Sequence, residues 1–162
     1  MALHPTRNDL ATRTRSTVCD LLNARLADAI DLASQVKQAH WNVKGPNFIG
    51  LHGLFDAIHG VVDGQVDELA ERITALGGVA AGTVAAVARA STLAAYPRDI
   101  VRGADHLDAL AQGLAAYGGG LRKAIGGAGK AGDDVTADLF TGMTADIDKQ
   151  LWLVEAHLQA DS

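Results

Sequence analysis

The chain has few of the residues on which several protein classes depend. Its single cysteine, Cys19, excludes an intrachain disulfide framework and every zinc or iron–sulfur site built from several cysteines. Only three prolines occur among 162 residues, so long stretches are free to form uninterrupted helices. No apolar run approaches the ~18 residues that a membrane-spanning helix requires. These absences predict a soluble, helical protein.

Alanine is abundant instead, with 30 copies in the chain, and it favours helices that pack closely together. A chain of 162 residues is long enough for one domain with a single sizeable core. The net charge of −5 argues against binding nucleic acid over the whole surface and suits the attraction of cations. The N-terminal residues lack the apolar core of a secretory signal, which predicts a cytoplasmic location.

Apolar residues recur at steps of three and four along four segments, and this spacing predicts four long helices. Proline and glycine pairs mark several of their ends. The predicted bounds are a first helix from 16 to the Gly45-Pro46 pair, a second from 47 to the Gly77-Gly78 pair, a third at 99–125, a glycine-rich loop at 126–132 and a fourth at 136–159.

Only one of the predicted connections is long. Residues 77–98 link the second and third helices, with room for one short helix at Val84–Ala90. Four helices with one crossover are the ferritin-like plan. We therefore predict an all-α, ferritin-like four-helix bundle at 16–159, preceded by a flexible N-terminal tail at 1–15.

A polar band follows the apolar stripe of the second helix, one position further along the chain. Its steps of three and four place its members on one face, about 100° round from the core line. A solvated face is one interpretation. A metal site is the other interpretation, because the band combines two histidines with four carboxylates. The second helix contains no lysine or arginine before Arg72 that would pair with these carboxylates. The members of the band are His52, Asp56, His59, Asp63, Asp67 and Glu71.

The two ends of this band are too far apart to share a metal within one chain. His52 and Asp67 are separated by about 22 Å along a helix. The pairs His52/Asp56 and Asp67/Glu71 are both spaced i,i+4 and are symmetric about position 61.5. An antiparallel copy of the helix crossing there brings one pair beside the other, so a two-fold dimer builds two identical sites. Small residues suit a close crossing, and they are Gly53, Ala57, Gly60 and Gly64.

His40 joins this candidate ligand set from the first helix. A tight antiparallel hairpin turning near Pro46 places residue 40 opposite residue 52, although a histidine that only hydrogen-bonds in the core is the alternative. Two imidazoles and three carboxylates suit Fe(II), Mn(II) or zinc. The three glutamates form no Glu-x-x-His pair, so a di-iron site inside the bundle is not expected.

Several motifs extend this pattern over residues 16–158, and together they resemble the Dps mini-ferritins, the DNA-protecting proteins of starved bacterial cells. The first three motifs contain the candidate ligands. The motifs are Lys37-Gln38-Ala39-His40-Trp41-Asn42 with Gly45-x-Asn47-Phe48, His52-x3-Asp56, Asp67-x3-Glu71, Tyr96-Pro97-x-Asp99-Ile100, Asp105-His106-Leu107, and Thr136-Ala137-Asp138 through Asp148-Lys149-x-Leu151-Trp152.

The resemblance implies a hollow homododecamer that binds Fe(II) at dimer interfaces and oxidises it, typically with hydrogen peroxide in preference to oxygen. The Fe(III) product is stored as a mineral inside the cage, which protects the cell from oxidative damage. Zn and Mn are surrogate ions at such a site. The implied ligands are His40, His52 and Asp56 of one subunit with Asp67 and Glu71 of its two-fold mate.

Other residues keep two interpretations. Trp41 resembles the tryptophan beside the family's ferroxidase centre, and interface packing is its alternative role. His59 and Asp63 lie outside the family's ligand set and are either auxiliary cation sites or polar surface. Three aspartates, Asp133, Asp134 and Asp138, are similar to the residues that line the family's three-fold pores. Capping of the last helix is the alternative role for Asp133 and Asp134.

Two rival functions remain open at this point. One is a DNA-compacting protein whose metal site is secondary, and the other is a signalling or cell-binding relative. Residues 1–15 contain no lysine and carry a net charge of +2, which predicts weak or absent DNA binding.

Overall fold

The computed structural model describes residues 3–159. This range contains four long helices and one short helix. No strand forms in this range, where the only β-type pairing is an isolated bridge between Lys44 and Arg102. The helices are α1 (Thr12–Asn42), α2 (Phe48–Ala75), α3 (Val84–Ala90), α4 (Gly103–Ala131) and α5 (Asp134–Glu155).

The long helices pack as a bundle. α1 packs against α2 and α4, α5 packs against α4 and touches α2, and the short α3 rests on α1 within the crossover from α2 to α4. This arrangement confirms the all-α ferritin-like plan, and α3 has the predicted bounds. None of the helices in the described part of the chain is both long and apolar enough to cross a membrane.

The apolar stripes meet in one core. Leu22, Phe55, Leu114 and Phe140 come from the four long helices and are completely buried, each contributing about 1.5–3 kcal/mol through removal from water. The core also contains a hydrogen-bonded polar residue, Gln65, whose amide nitrogen donates to a backbone carbonyl of α5 while its oxygen accepts from a buried tyrosine of α4. Buried polar groups paired in this way avoid the cost of lost hydration.

α4 is shifted along the chain relative to its prediction. It begins at Gly103 because the preceding residues are extended, with the Lys44 amide donating to the Val101 oxygen over 3.0 Å. It continues through the predicted loop at 126–132 as far as Ala131. Gly127 does not break it, because this glycine lies against Leu21, where a Cβ would come within 3.0 Å of a leucine methyl.

The prediction of a free tail at 1–15 is also corrected. α1 begins at Thr12, so residues 12–15 are helical. Further towards the N-terminus, the His4 amide donates to the Gly77 oxygen over 2.7 Å. Arg15 is buried and its guanidinium donates to the Leu76 and Leu10 oxygens. The described part of the predicted tail therefore lies along the end of α2.

The last helix also differs from its prediction at both ends. α5 begins at Asp134 rather than at 136, and ends at Glu155 rather than at 159. Its earlier start follows from Asp133, whose side chain accepts a hydrogen bond from the Thr136 amide as an N-cap.

Candidate metal centre

A tight turn between α1 and α2 brings two histidines together. Gly45 adopts φ +118°, a backbone conformation that favours glycine, and the buried Val43 anchors the turn to the core. The two helices run antiparallel from it, and the rings of His40 and His52 stack with centroids 3.6 Å apart and planes inclined by 23°. The predicted placement of residue 40 opposite residue 52 is confirmed.

The same two histidines are held by reciprocal hydrogen bonds. The His40 Nδ1 atom lies 2.8 Å from the His52 backbone oxygen, and the His52 Nδ1 atom lies 2.9 Å from the His40 backbone oxygen. A carbonyl oxygen can only accept, so each Nδ1 carries its hydrogen and donates it. In the neutral imidazole this leaves a lone pair on each Nε2 atom, which is the state that a metal-ligating histidine requires.

Asp56 lies one turn along α2 from His52 and beside His40, with one carboxylate oxygen 3.9 Å from the His40 Nδ1 atom. The same oxygen accepts a hydrogen bond from the Lys37 ammonium over 2.6 Å. This hydrogen bond and the lysine charge hold the pKa of Asp56 below its ordinary value, so the carboxylate is ionised at neutral pH. Sequence reasoning assigned no role to Lys37, although its i,i+3 spacing from His40 places both on one face of α1.

Asp67 and Glu71 do not join this group within one chain. Both are exposed towards the other end of α2, and Asp67 lies about 16 Å from Asp56 along the helix axis. Among residues 3–159, no three histidine, cysteine, aspartate or glutamate side chains come together as a metal site. One chain therefore separates the five predicted ligands into two groups, the predicted half-sites His40/His52/Asp56 and Asp67/Glu71.

The outer face of α2 between the half-sites is open. A Cβ atom added to Gly53, Gly60 or Gly64 would meet no atom within 4 Å, because these glycines point away from the bundle. Beside His40, the Trp41 side chain is 67% exposed. The open glycine face of α2 is a surface suited to a closely packed partner helix.

His59 and Asp63 lie on α2 between the two half-sites. His59 is half-buried and Asp63 is exposed. The structure does not place either of them against the histidine pair of α1 and α2 as a group of three ligands.

Asp133 is buried and caps α5, which is the alternative role predicted for it. Both its oxygens accept hydrogen bonds from the Arg72 guanidinium, and one also accepts from the Thr136 hydroxyl. Burial alone would raise the pKa of Asp133, but the Thr136 hydrogen bonds and the Arg72 charge together lower it. Asp134 and Asp138 are exposed, so the pore role stays a prediction for these two.

Substitution of Asp133 is expected to destabilise the fold. Asp133→Ala removes the cap and leaves the Arg72 guanidinium without its buried partner, so we expect a loss of about 3 kcal/mol in the free energy of unfolding, measured with denaturant. Asp133→Asn still caps the helix and should lose less.

The folded-state pKa of Asp133 lies below its ordinary value of 3.8. The stability advantage of the wild type over Asp133→Asn is therefore complete at pH values above 3.8. It should vanish as the pH falls through the lower pKa of Asp133 in the folded protein. Equal stability of all three proteins at neutral pH would contradict this role.

Comparison with known proteins agrees with this architecture. A family model described as a ferritin-like domain matches residues 19–162. The chain is 48% identical over 162 residues, all of both chains, to the DNA protection during starvation protein of Agrobacterium fabrum. Mycobacterium smegmatis Dps superposes with a TM-score of 0.90 at 36% identity, over 98% of this chain and 96% of that one.

A Dps structure from Vibrio cholerae O1, described as a member of a broad superfamily of ferritin-like diiron-carboxylate proteins, has a TM-score of 0.90. It is 25% identical and covers 98% of this chain and 99% of its own. The helical bundle, its crossover and the histidine-bearing hairpin define a ferritin-like protein. Within that class, the chain belongs to the Dps family of DNA protection proteins.

Proposed function

We propose that this protein is a ferroxidase and iron-storage cage, a homododecamer built from two-fold dimers. The observation that carries the proposal is the histidine pair. Two stacked imidazoles donate from Nδ1 to each other's backbone oxygens and keep both Nε2 lone pairs free beside the ionised Asp56. The description of the Vibrio cholerae relative as a diiron-carboxylate protein supports iron as the metal.

Each site is completed by a second subunit. The half-site His40/His52/Asp56 has too few ligands to enclose an ion, and Asp67/Glu71 of the same chain lie too far away. An antiparallel crossing of two α2 helices near position 61.5 supplies the missing carboxylates, and the open glycine face allows the helices to approach. The exposed Trp41 packs beside the resulting interface.

Hard carboxylate ligands stabilise Fe(III) more than Fe(II), which favours oxidation of the bound substrate. Two Fe(II) ions at a dinuclear-type site supply the two electrons that one hydrogen peroxide molecule accepts, and two protons complete the conversion to two waters. Because both electrons reach the same peroxide, no hydroxyl radical is released. Zn(II) and Mn(II) suit the same ligands as surrogate ions.

The charge of the assembly assists iron uptake. Twelve copies of a chain with net charge −5 carry −60, a field that draws Fe(II) inward. Asp134 and Asp138, exposed at the start of α5, are our candidates for the pore lining. We propose a cytoplasmic location for this activity, with nucleoid association only if DNA is bound.

The activity is tested by mixing the protein with Fe(II) under anaerobic conditions and then adding either hydrogen peroxide or oxygen. We expect Fe(II) oxidation to be faster with peroxide, about two Fe(II) to be consumed per peroxide, and electron microscopy to show mineral-filled shells. Oxidation no faster than in protein-free buffer would contradict the proposal.

A DNA-compacting role is the second candidate, and the name of the Agrobacterium relative is compatible with it. The described part of the N-terminal segment argues against tight binding. It contains arginine but no lysine, and it is held to the bundle through His4 and Arg15. Twelve such segments would act together only if several reached one duplex.

We therefore expect weak DNA binding with a strong salt dependence. Each phosphate contact needs a positive group, and affinity falls with salt as counterions compete. Gel-shift titrations should show retention at low salt and none near ~0.15 M salt. Retention at the higher salt that disappears when residues 1–11 are deleted would show that the N-terminal segment binds DNA tightly after all.

A further inference from the structure

His59 and Asp63 have no role in the proposed ferroxidase site, yet they stand in the same polar band of α2. They are spaced i,i+4, so their side chains lie on one helix face, as a pair that binds one ion requires. Neither side chain makes a hydrogen bond or ion pair within residues 3–159 of the chain. The donor atoms of both are therefore not committed to structure within the subunit.

The two-fold axis of the proposed dimer passes close to this pair. In an antiparallel crossing centred at position 61.5, His59 faces position 64 of the partner and Asp63 faces position 60. His59 is then offset by one residue, about 1.5 Å along the helix, from the partner subunit's Asp63. The facing positions are Gly60 and Gly64, whose missing side chains leave room for the imidazole and carboxylate to reach across the crossing.

We propose that His59 and Asp63 of two subunits bind one divalent cation on the two-fold axis of each dimer. Two imidazoles and two carboxylates make a four-coordinate set that suits zinc-type ions, and a set closed by protein ligands is typical of structural sites. Arg72 is the only lysine or arginine of α2, and it is paired with Asp133. No other positive side chain of this helix therefore competes with the cation for the Asp63 carboxylates. The ion links the two α2 helices and takes no part in iron oxidation. The inference rests on the dimer of the proposed function.

The test uses Co(II), whose visible absorption reports four-coordinate binding, added anaerobically to assembled protein carrying His52→Ala. That substitution removes a ligand of the proposed ferroxidase site and leaves the axial pair intact. We expect one tightly bound Co(II) for every two chains. Adding His59→Ala should abolish this binding, and Asp63→Asn should weaken it at least about 10-fold. His157→Ala, which removes an exposed histidine outside α2, should leave it unchanged.

Native mass spectrometry of each variant reports assembly separately from cobalt binding. If His59→Ala disrupts the dimer, Asp63→Asn, which is nearly equal in size, carries the test. Unchanged Co(II) stoichiometry and affinity in Asp63→Asn, or one Co(II) per chain independent of His59, would overturn the axial site. Iron oxidation distinguishes the two proposals. If His52→Ala oxidises Fe(II) normally while His59→Ala loses its cobalt, the ferroxidase assignment fails and the axial site stands.

Discussion

Replacing His52 with alanine is expected to reduce the initial rate of peroxide-driven Fe(II) oxidation at least about 100-fold while the cage stays assembled. Loss even of a group that only orients a metal ligand costs 10–100-fold, and His52 is itself a ligand in the proposed site. It also donates the hydrogen bond to the His40 backbone oxygen and stacks on the His40 ring, so its removal disturbs both imidazoles. Stopped-flow absorbance of the Fe(III) product measures the rate.

His40→Ala should have the same effect, because it removes the other half of the reciprocal pair. His157→Ala is the matched control, since it removes an exposed histidine that belongs to neither proposed half-site. Light scattering or electron microscopy confirms that each variant remains a cage. Wild-type rates in both the His40 and His52 variants would refute the assignment of the site.

Cages assembled from two inactive variants are expected to regain activity. A His52→Ala subunit and a Glu71→Ala subunit each lack a different half of the inter-subunit site. In a mixed dimer, one site loses both halves and the other is intact. Random mixing of equal amounts makes half of the dimers mixed, so about one quarter of all sites should be functional. Refolding the two variants together and measuring Fe(II) oxidation gives the recovered fraction.

The control for this experiment is a mixture of His52→Ala with Asp56→Asn subunits. Both substitutions damage the same half of the site, so no dimer of these two chains contains an intact site and no activity should return. Recovery in the control mixture, or none in the His52/Glu71 mixture, would argue that the site does not cross a two-fold interface. A site within one chain recovers nothing in either mixture.

Much of the fold follows from local sequence patterns, because amphipathic helices are encoded by residues three and four apart. The apolar stripes predicted the four long helices, and the crossover predicted α3 over Val84–Ala90. The errors fall where packing overrides local preference. Gly127 continues α4 because it lets Leu21 approach. Residues 12–15 are helical because Arg15 donates to the Leu76 oxygen at the end of α2.

The sequence by itself determined the residue types of the candidate ligands and their register along the helices. The i,i+4 pairs placed the α2 ligands on one face, and the short turn at Pro46 predicted His40 opposite His52. Spacing along a regular helix is enough for this, since rise and rotation per residue are constant. The distance from His52 to Asp67 likewise excluded a site within one chain.

Only the tertiary structure decided the chemical state of each group. The reciprocal hydrogen bonds that leave both Nε2 atoms free depend on the approach of two backbones, and the ionised Asp56 depends on Lys37 from another helix. The assignment of Asp133 required its burial against Arg72, which lies 61 residues away in the chain. Tautomers, ion pairs and burial arise from contacts between distant segments, and helical periodicity carries no information about which distant side chain a given residue will meet.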